Sequence, residues 1–119
     1  MKTALIVDDA AVMRMRLRDI LEPKYHVIGE AENGEQAVEL YKNHTPDFVT
    51  LDITMPRVDG IQVLEQLLSF DQKARVIIVS AVGQKKMVFN ALGIGARDFI
   101  VKPFDPNRVM IAVDRLFGI

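Results

Sequence analysis

Five short apolar runs alternate with stretches of helical character from one end of the chain to the other, and very few architectures accept that order. The runs are Ala4 to Val7, His26 to Gly29, Phe48 to Leu51, Val76 to Val79 and Phe99 to Val101. None alternates apolar with polar residues, as a strand with one wet face would. They read as strands covered on both sides, the habit of parallel sheets. Between them, Met13, Leu17, Ile20 and Leu21 recur at helical spacing, as do Ile61, Leu64, Leu67 and Leu68, and then Val109, Ala112, Val113, Leu116 and Phe117. Asn33 with Gln36 three positions later has the form of a helix cap and its partner. Asp105 before Pro106 has the form of a cap with proline in the first turn. Repeated strand-then-helix units predict an α/β fold, an open parallel five-stranded sheet with helices on both faces.

With 119 residues the chain has room for one domain, expected to span 1–119 with no output domain attached. Its 15 basic and 16 acidic residues nearly cancel and form no stripe or tail, which speaks against nucleic acid as a direct partner. Cysteine is absent, so disulfides, thiolate metal sites and cysteine nucleophiles are excluded. The apolar run after Met1 is too short for a signal peptide or a membrane span, so a soluble cytoplasmic protein is expected.

Ligands of such sheets bind beyond the carboxyl ends of the strands, which directs attention to the residues there. The first strand delivers Asp8 and Asp9, the third Asp52, the fourth Ser80 and the fifth Lys102 followed by Pro103. Three neighbouring carboxylates raise one another's pKa and call for a cation. An oxygen-only set with room for water suits Mg²⁺. Lys102 and Ser80 supply a mobile positive charge and a hydroxyl donor for phosphate oxygens, and aspartate can act as a phosphoryl-accepting nucleophile. Singly, each of these residues is ordinary: an Asp-Asp pair after a strand is more often a helix cap, and a lysine before proline is usually surface. The ordered set is what points to phosphoryl chemistry.

That set resembles the response-regulator receiver domains. The likeness is carried by Ile6-Val7-Asp8-Asp9, Leu51-Asp52-Ile53-Thr54-Met55-Pro56, Asp59-Gly60, Ser80-Ala81 and Val101-Lys102-Pro103-Phe104, and runs from Lys2 to about Phe117. The resemblance implies strand order 2-1-3-4-5, phosphorylation of Asp52, and a Mg²⁺ ion held by Asp9, Asp52 and the Thr54 backbone carbonyl, with Asp8 helping through water. It implies that Ser80 and Lys102 grip the phosphoryl oxygens and that the Lys102–Pro103 peptide bond is cis. Within the family, Asp52 to Pro56 and Ser80-Ala81-Val82-Gly83-Gln84 resemble the stand-alone chemotaxis branch. A histidine kinase would then be the phosphodonor, and a protein such as a flagellar motor switch component the target. Such a domain catalyses only its own phosphorylation and dephosphorylation, and is not otherwise an enzyme.

Met87, Val88, Phe89, Leu92 and Ile94 fall on nearly every side of the helix after Gly83, more apolar surface than one buried face requires. Scattered exposed side chains would account for this without any function. By resemblance it is a docking face, with Phe99 at an aromatic switch position and Val88 and Val101 beside it. Two alternatives remain: a phosphorelay intermediate that passes its phosphate to a phosphotransfer protein, and a haloacid-dehalogenase-type phosphatase. The latter normally has an acid/base aspartate two residues after its nucleophile, where this chain has Thr54.

Overall fold

A computed structural model describes all residues, 1–119. Its elements alternate as β1 (Thr3–Val7), α1 (Ala11–Leu21), β2 (His26–Ala31), α2 (Gly34–His44), β3 (Phe48–Asp52), α3 (Gly60–Phe70), β4 (Val76–Ser80), α4 (Lys85–Ile94), β5 (Asp98–Val101) and α5 (Pro106–Leu116). The strands form one sheet in the order β2-β1-β3-β4-β5, and every neighbouring pair is parallel.

Each strand feeds a helix, and the two faces of the sheet carry separate cores. Leu5, Val7, Val49, Leu51, Val76 and Ile78 point to the side covered by α2, α3 and α4. Ala4, Ile6, Phe48, Ile77 and Val79 point to the side covered by α1 and α5. Every residue of the central strands β3 and β4 is buried. The edge strands β2 and β5 are only partly covered, because each has a neighbour on one side alone. The two-sided burial expected for the runs therefore holds at the centre of the sheet and weakens at its rims.

The expected helix starts are built as the sequence suggests. Asn33 Oδ1 accepts from the Gln36 N–H at 2.8 Å, and the Gln36 side chain turns back to accept from the Glu32 N–H at 2.9 Å. Asp105 accepts from the Asn107 N–H at 2.8 Å, with Pro106 in the first turn. Asp59 caps α3 through the Ile61 and Gln62 N–H groups. Gly60, the first residue of α3, packs so closely on the chain after β3 that a Cβ there would lie 2.5 Å from the Ile53 Cα. Glycine is required at that point because any side chain would displace the backbone next to Asp52. No helix is long and apolar enough to cross a membrane.

Candidate functional site

Parallel strands end on one rim, and this rim gathers the chemistry. Asp8 follows β1, Asp52 closes β3, Ser80 closes β4 and Lys102 follows β5. Asp52 and Ser80 are thus the last residues of their strands instead of the first residues beyond them. Backbone hydrogen bonds tie the segments of Asp52, Ser80 and Lys102 together: Ile53 N–H to Val79 O at 3.1 Å and Lys102 N–H to Ser80 O at 2.8 Å. Ladder bonds at the centre of a sheet are its most protected part, so Asp52 and Ser80 are held by the stiffest region of the fold, whereas Lys102 follows an edge strand.

Asp8, Asp52 and Ser80 are buried, whereas Asp9 is exposed. Lys102 Nζ donates to Asp52 Oδ2 at 2.9 Å and lies 3.0 Å from Asp8 Oδ2. The second contact is ionic and not directional, since Asp8 Oδ2 is buried without an aligned donor. The remaining oxygens are occupied: Asp8 Oδ1 accepts from the Ala10 N–H at 2.9 Å, and Asp52 Oδ1 accepts from both the N–H and the hydroxyl of Thr54, at 2.8 and 2.7 Å. The Asp-Asp pair is therefore not the side-chain cap of α1, whose N-cap is Ala10 with no side-chain bond.

The electrostatics follow from this burial. Burial raises the pKa of Asp8 above its ordinary value, opposed by the Ala10 N–H and by Lys102, with the Asp52 charge adding to the rise. Burial disfavours the charged form of Lys102 too, but the hydrogen bonds to Asp52 and Asp8 outweigh it and raise its pKa. One ammonium thus compensates two buried carboxylates, leaving the cluster short of positive charge.

A divalent cation fits that deficit. Asp8, Asp9 and Asp52 can each offer an oxygen within 4.8 Å of the others, and Asp8 Oδ2 is a buried acceptor without a donor. Oxygen-only donors with one ligand at the solvent edge match a hard cation that keeps part of its water. Thr54 is fastened over the site by its two bonds to Asp52.

Behind Ser80 lies an apolar recess of about 240 Å³, lined by Ser80, Val82, Val88, Phe89, Phe99 and Val101 among others. Phe99 is half-buried in it and Val101 lies at its exposed lip. Val88 is buried and forms part of the wall, while Phe89 and Val82 are 67% and 77% exposed. The outward apolar surface of α4 is thus carried by Phe89 and not Val88. A larger recess of about 640 Å³ between α2 and α3 mixes Glu35, Glu39, Lys42 and Arg57 and contains none of the carboxylate cluster. The Lys102–Pro103 bond is cis, as expected.

One group near the site was not legible in the sequence. Arg14 Nη1 donates to the Asp8 carbonyl at 2.7 Å while its Nε donates to Glu30 at 3.0 Å, and Arg18 donates to the other Glu30 oxygen at 2.7 Å. The spacing of Arg14 and Arg18 puts them on one face of α1, but their partner on β2 is known only once the sheet order is.

Residues 4–114 match the family model of the response regulator receiver domain. The chemotaxis protein CheY of Bacillus subtilis is 55% identical over 112 residues, covering 93% of each chain. Protein CcdB of the same organism is 50% identical over 119 residues, covering 99% of each. Among solved structures, the CheX-CheY-BeF3-Mg+2 complex from Borrelia burgdorferi matches with a TM-score of 0.93 and 43% identity, over 99% of this chain and 90% of that one.

Proposed function

The chain belongs to the response regulator receiver domain family, and on that premise we propose that Asp52 is the phosphoacceptor of a two-component switch assisted by Mg²⁺. The observation that carries this reading is the buried Asp52 carboxylate joined to Lys102 at 2.9 Å, with two further carboxylates within ligand range. Asp52 Oδ1 is engaged by Thr54, which leaves Oδ2, the oxygen facing Lys102, to attack the phosphorus. The new bond is Oδ2–P, the bond broken is P–N of a kinase phosphohistidine, and the imidazole leaves with the electron pair. Bound Mg²⁺ supplies charge neutralisation for the transferring group, held by Asp8, Asp9 and Asp52, with the Thr54 carbonyl as a further oxygen. Lys102 then exchanges its carboxylate for a phosphoryl oxygen, and the Ser80 hydroxyl takes another.

We assign the domain to residues 1–119 and its output to the recess behind Ser80. Movement of Ser80 toward the phosphate changes the packing of Phe99 and the face made with Phe89 and Val101. Of the two relatives, one is named a chemotaxis protein and the other carries the name Protein CcdB. The chemotaxis reading, with a flagellar motor switch protein as target, rests on the former and on the CheX-bound CheY structure. A phosphatase of the haloacid-dehalogenase kind is disfavoured, because the Thr54 hydroxyl is committed to Asp52 and has no acid/base range. His26 opens β2 and His44 ends α2, both at the opposite end of the sheet, so the phosphodonor is another protein.

The test is transfer from a radiolabelled, autophosphorylated histidine kinase core. Label should move to the chain only with Mg²⁺ present. Onward movement to a histidine phosphotransfer domain would identify a relay, and absence of any transfer from several kinases would count against the phosphoacceptor reading.

A further inference from the structure

We infer that Arg14 is a positioning residue for the cation site, acting through the main chain that carries Asp8 and Asp9. The inference rests on the metal-assisted reading above. Asp8 is hydrogen-bonded at three of its four polar atoms, and the fourth faces a cation. Its N–H donates to Ala31 O at 3.0 Å, its Oδ1 accepts from Ala10, its Oδ2 faces Lys102, and its carbonyl accepts from Arg14 at 2.7 Å.

Asp9 has no such tethers. It is exposed, and no hydrogen bond of its side chain or N–H is formed within the chain. The peptide on the far side of Asp9 is fixed through the Ala10 N–H, which donates to Asp8 Oδ1, although α1 has no side-chain cap of its own. The direction in which Asp9 offers its carboxylate then depends on the other peptide plane, the one joining it to Asp8. The oxygen of that plane is held by Arg14. Arg14 is in turn fixed by Glu30 on β2, and its side chain is only 15% exposed. A guanidinium suits this task because its fork binds a carboxylate through one nitrogen and a carbonyl through another, which a lysine ammonium does with less directional control.

The sign of the expected effect separates positioning from plain electrostatics. Arg14 is a cation near a cation site, so Coulomb repulsion alone would make its removal strengthen Mg²⁺ binding. Positioning predicts the reverse, since loss of groups that orient metal ligands typically weakens affinity about 10- to 100-fold.

Mg²⁺ alone should be titrated into the unphosphorylated full chain by calorimetry, for wild type, Arg14→Met, Arg14→Lys, Arg18→Met and Asp9→Ala. Thermal melts in chelator would confirm that each variant is folded. The expected result is at least tenfold weaker binding for both Arg14 variants. Arg18→Met, which removes the same charge from the same face of α1 but leaves the Asp8 carbonyl clamped, should stay within about twofold of wild type. Unchanged or tighter binding in Arg14→Met would overturn the inference, as would an equal loss in Arg18→Met. If Arg14→Met does not fold, Arg14→Lys decides, because wild-type affinity there would also refute it. Wild type that binds no Mg²⁺ would instead refute the metal-assisted reading itself, and Asp9→Ala shows that the assay reports this site.

Discussion

Lys102→Met should destabilise the metal-free protein by about 3 kcal/mol near neutral pH, and most of that loss should be recoverable by acid or by Mg²⁺. Lys102 is the only positive group in contact with the carboxylates of Asp8 and Asp52, at 3.0 and 2.9 Å. Unit charges at that range attract by roughly 5 kcal/mol at an effective dielectric of about 20, and desolvation of the pair offsets part of it. Removing one partner of a buried pair typically costs about 3–5 kcal/mol. The lower end applies here because the Lys102 side chain keeps 21% of its exposure. The pH dependence follows from Asp8, whose folded pKa lies above its unfolded value. Such a group costs stability above the unfolded pKa, and the cost disappears as pH falls through the folded pKa. Without Lys102 that folded pKa rises further, so the gap between variant and wild type should narrow as pH is lowered from neutral into the acid range. Saturating Mg²⁺, at about a hundred times its Kd, adds roughly 2.7 kcal/mol to any form that binds it. The variant should bind it more tightly, since the competing ammonium is gone. Urea denaturation in chelator and in Mg²⁺, at neutral and at acid pH, measures all four cases. A loss under about 1 kcal/mol, or one indifferent to both pH and Mg²⁺, would refute the view that Lys102 compensates the carboxylates.

Thr50 lies on β3 two residues before Asp52, and its buried hydroxyl has no partner. Thr50→Val keeps the shape and removes the orphan, so it should stabilise the fold by about 1–2 kcal/mol in urea melts; a comparable loss would mean the hydroxyl is bonded after all. Acid should weaken the fold by a second route, opposite in sign to Asp8. Burial raises the pKa of Glu30, but its bonds to Arg18 and Arg14 overcome this and lower it, while the Tyr25 hydroxyl and Lys24 lower that of Asp114. Their contribution is complete above the unfolded pKa and is lost as pH falls through the folded value, so a Glu30→Gln, Asp114→Asn double variant should flatten the decline in urea midpoint below about pH 4.5. Phe99→Ala should leave phosphorylation intact but shrink the phosphate-dependent gain in target affinity, normally about 5- to 150-fold for such coupling. Equal gains in variant and wild type, measured by titration against a phosphate-dependent partner, would move the output face elsewhere.

The sequence exposed the sheet and its reactive rim because both rest on local signals. A buried parallel strand is a short apolar run, and the residue that ends it is necessarily at the rim, so Asp8, Asp52, Ser80 and Lys102 could be collected before any contact was known. The caps at Asn33 and Asp105 were legible for the same reason, being set by residues within three positions of one another. What depends on packing between distant elements was not. α4 is apolar on nearly every side, so periodicity could not tell that Val88 faces inward and Phe89 outward. The clamp of Arg14 on the Asp8 carbonyl needs α1 to lie across β2, and nothing in either segment alone gives that crossing.

Of the three clustered carboxylates, Asp52 alone should accept the phosphoryl group. The direct measurement is phosphorylation by a small acyl phosphate with Mg²⁺, reductive trapping of the acyl phosphate with borohydride, and mapping of the reduced residue by peptide mass spectrometry. One modified position is expected, residue 52, with no modification in chelator or in Asp52→Asn. Trapping at Asp8 or Asp9 in the wild type, or full modification of Asp52→Asn, would contradict it.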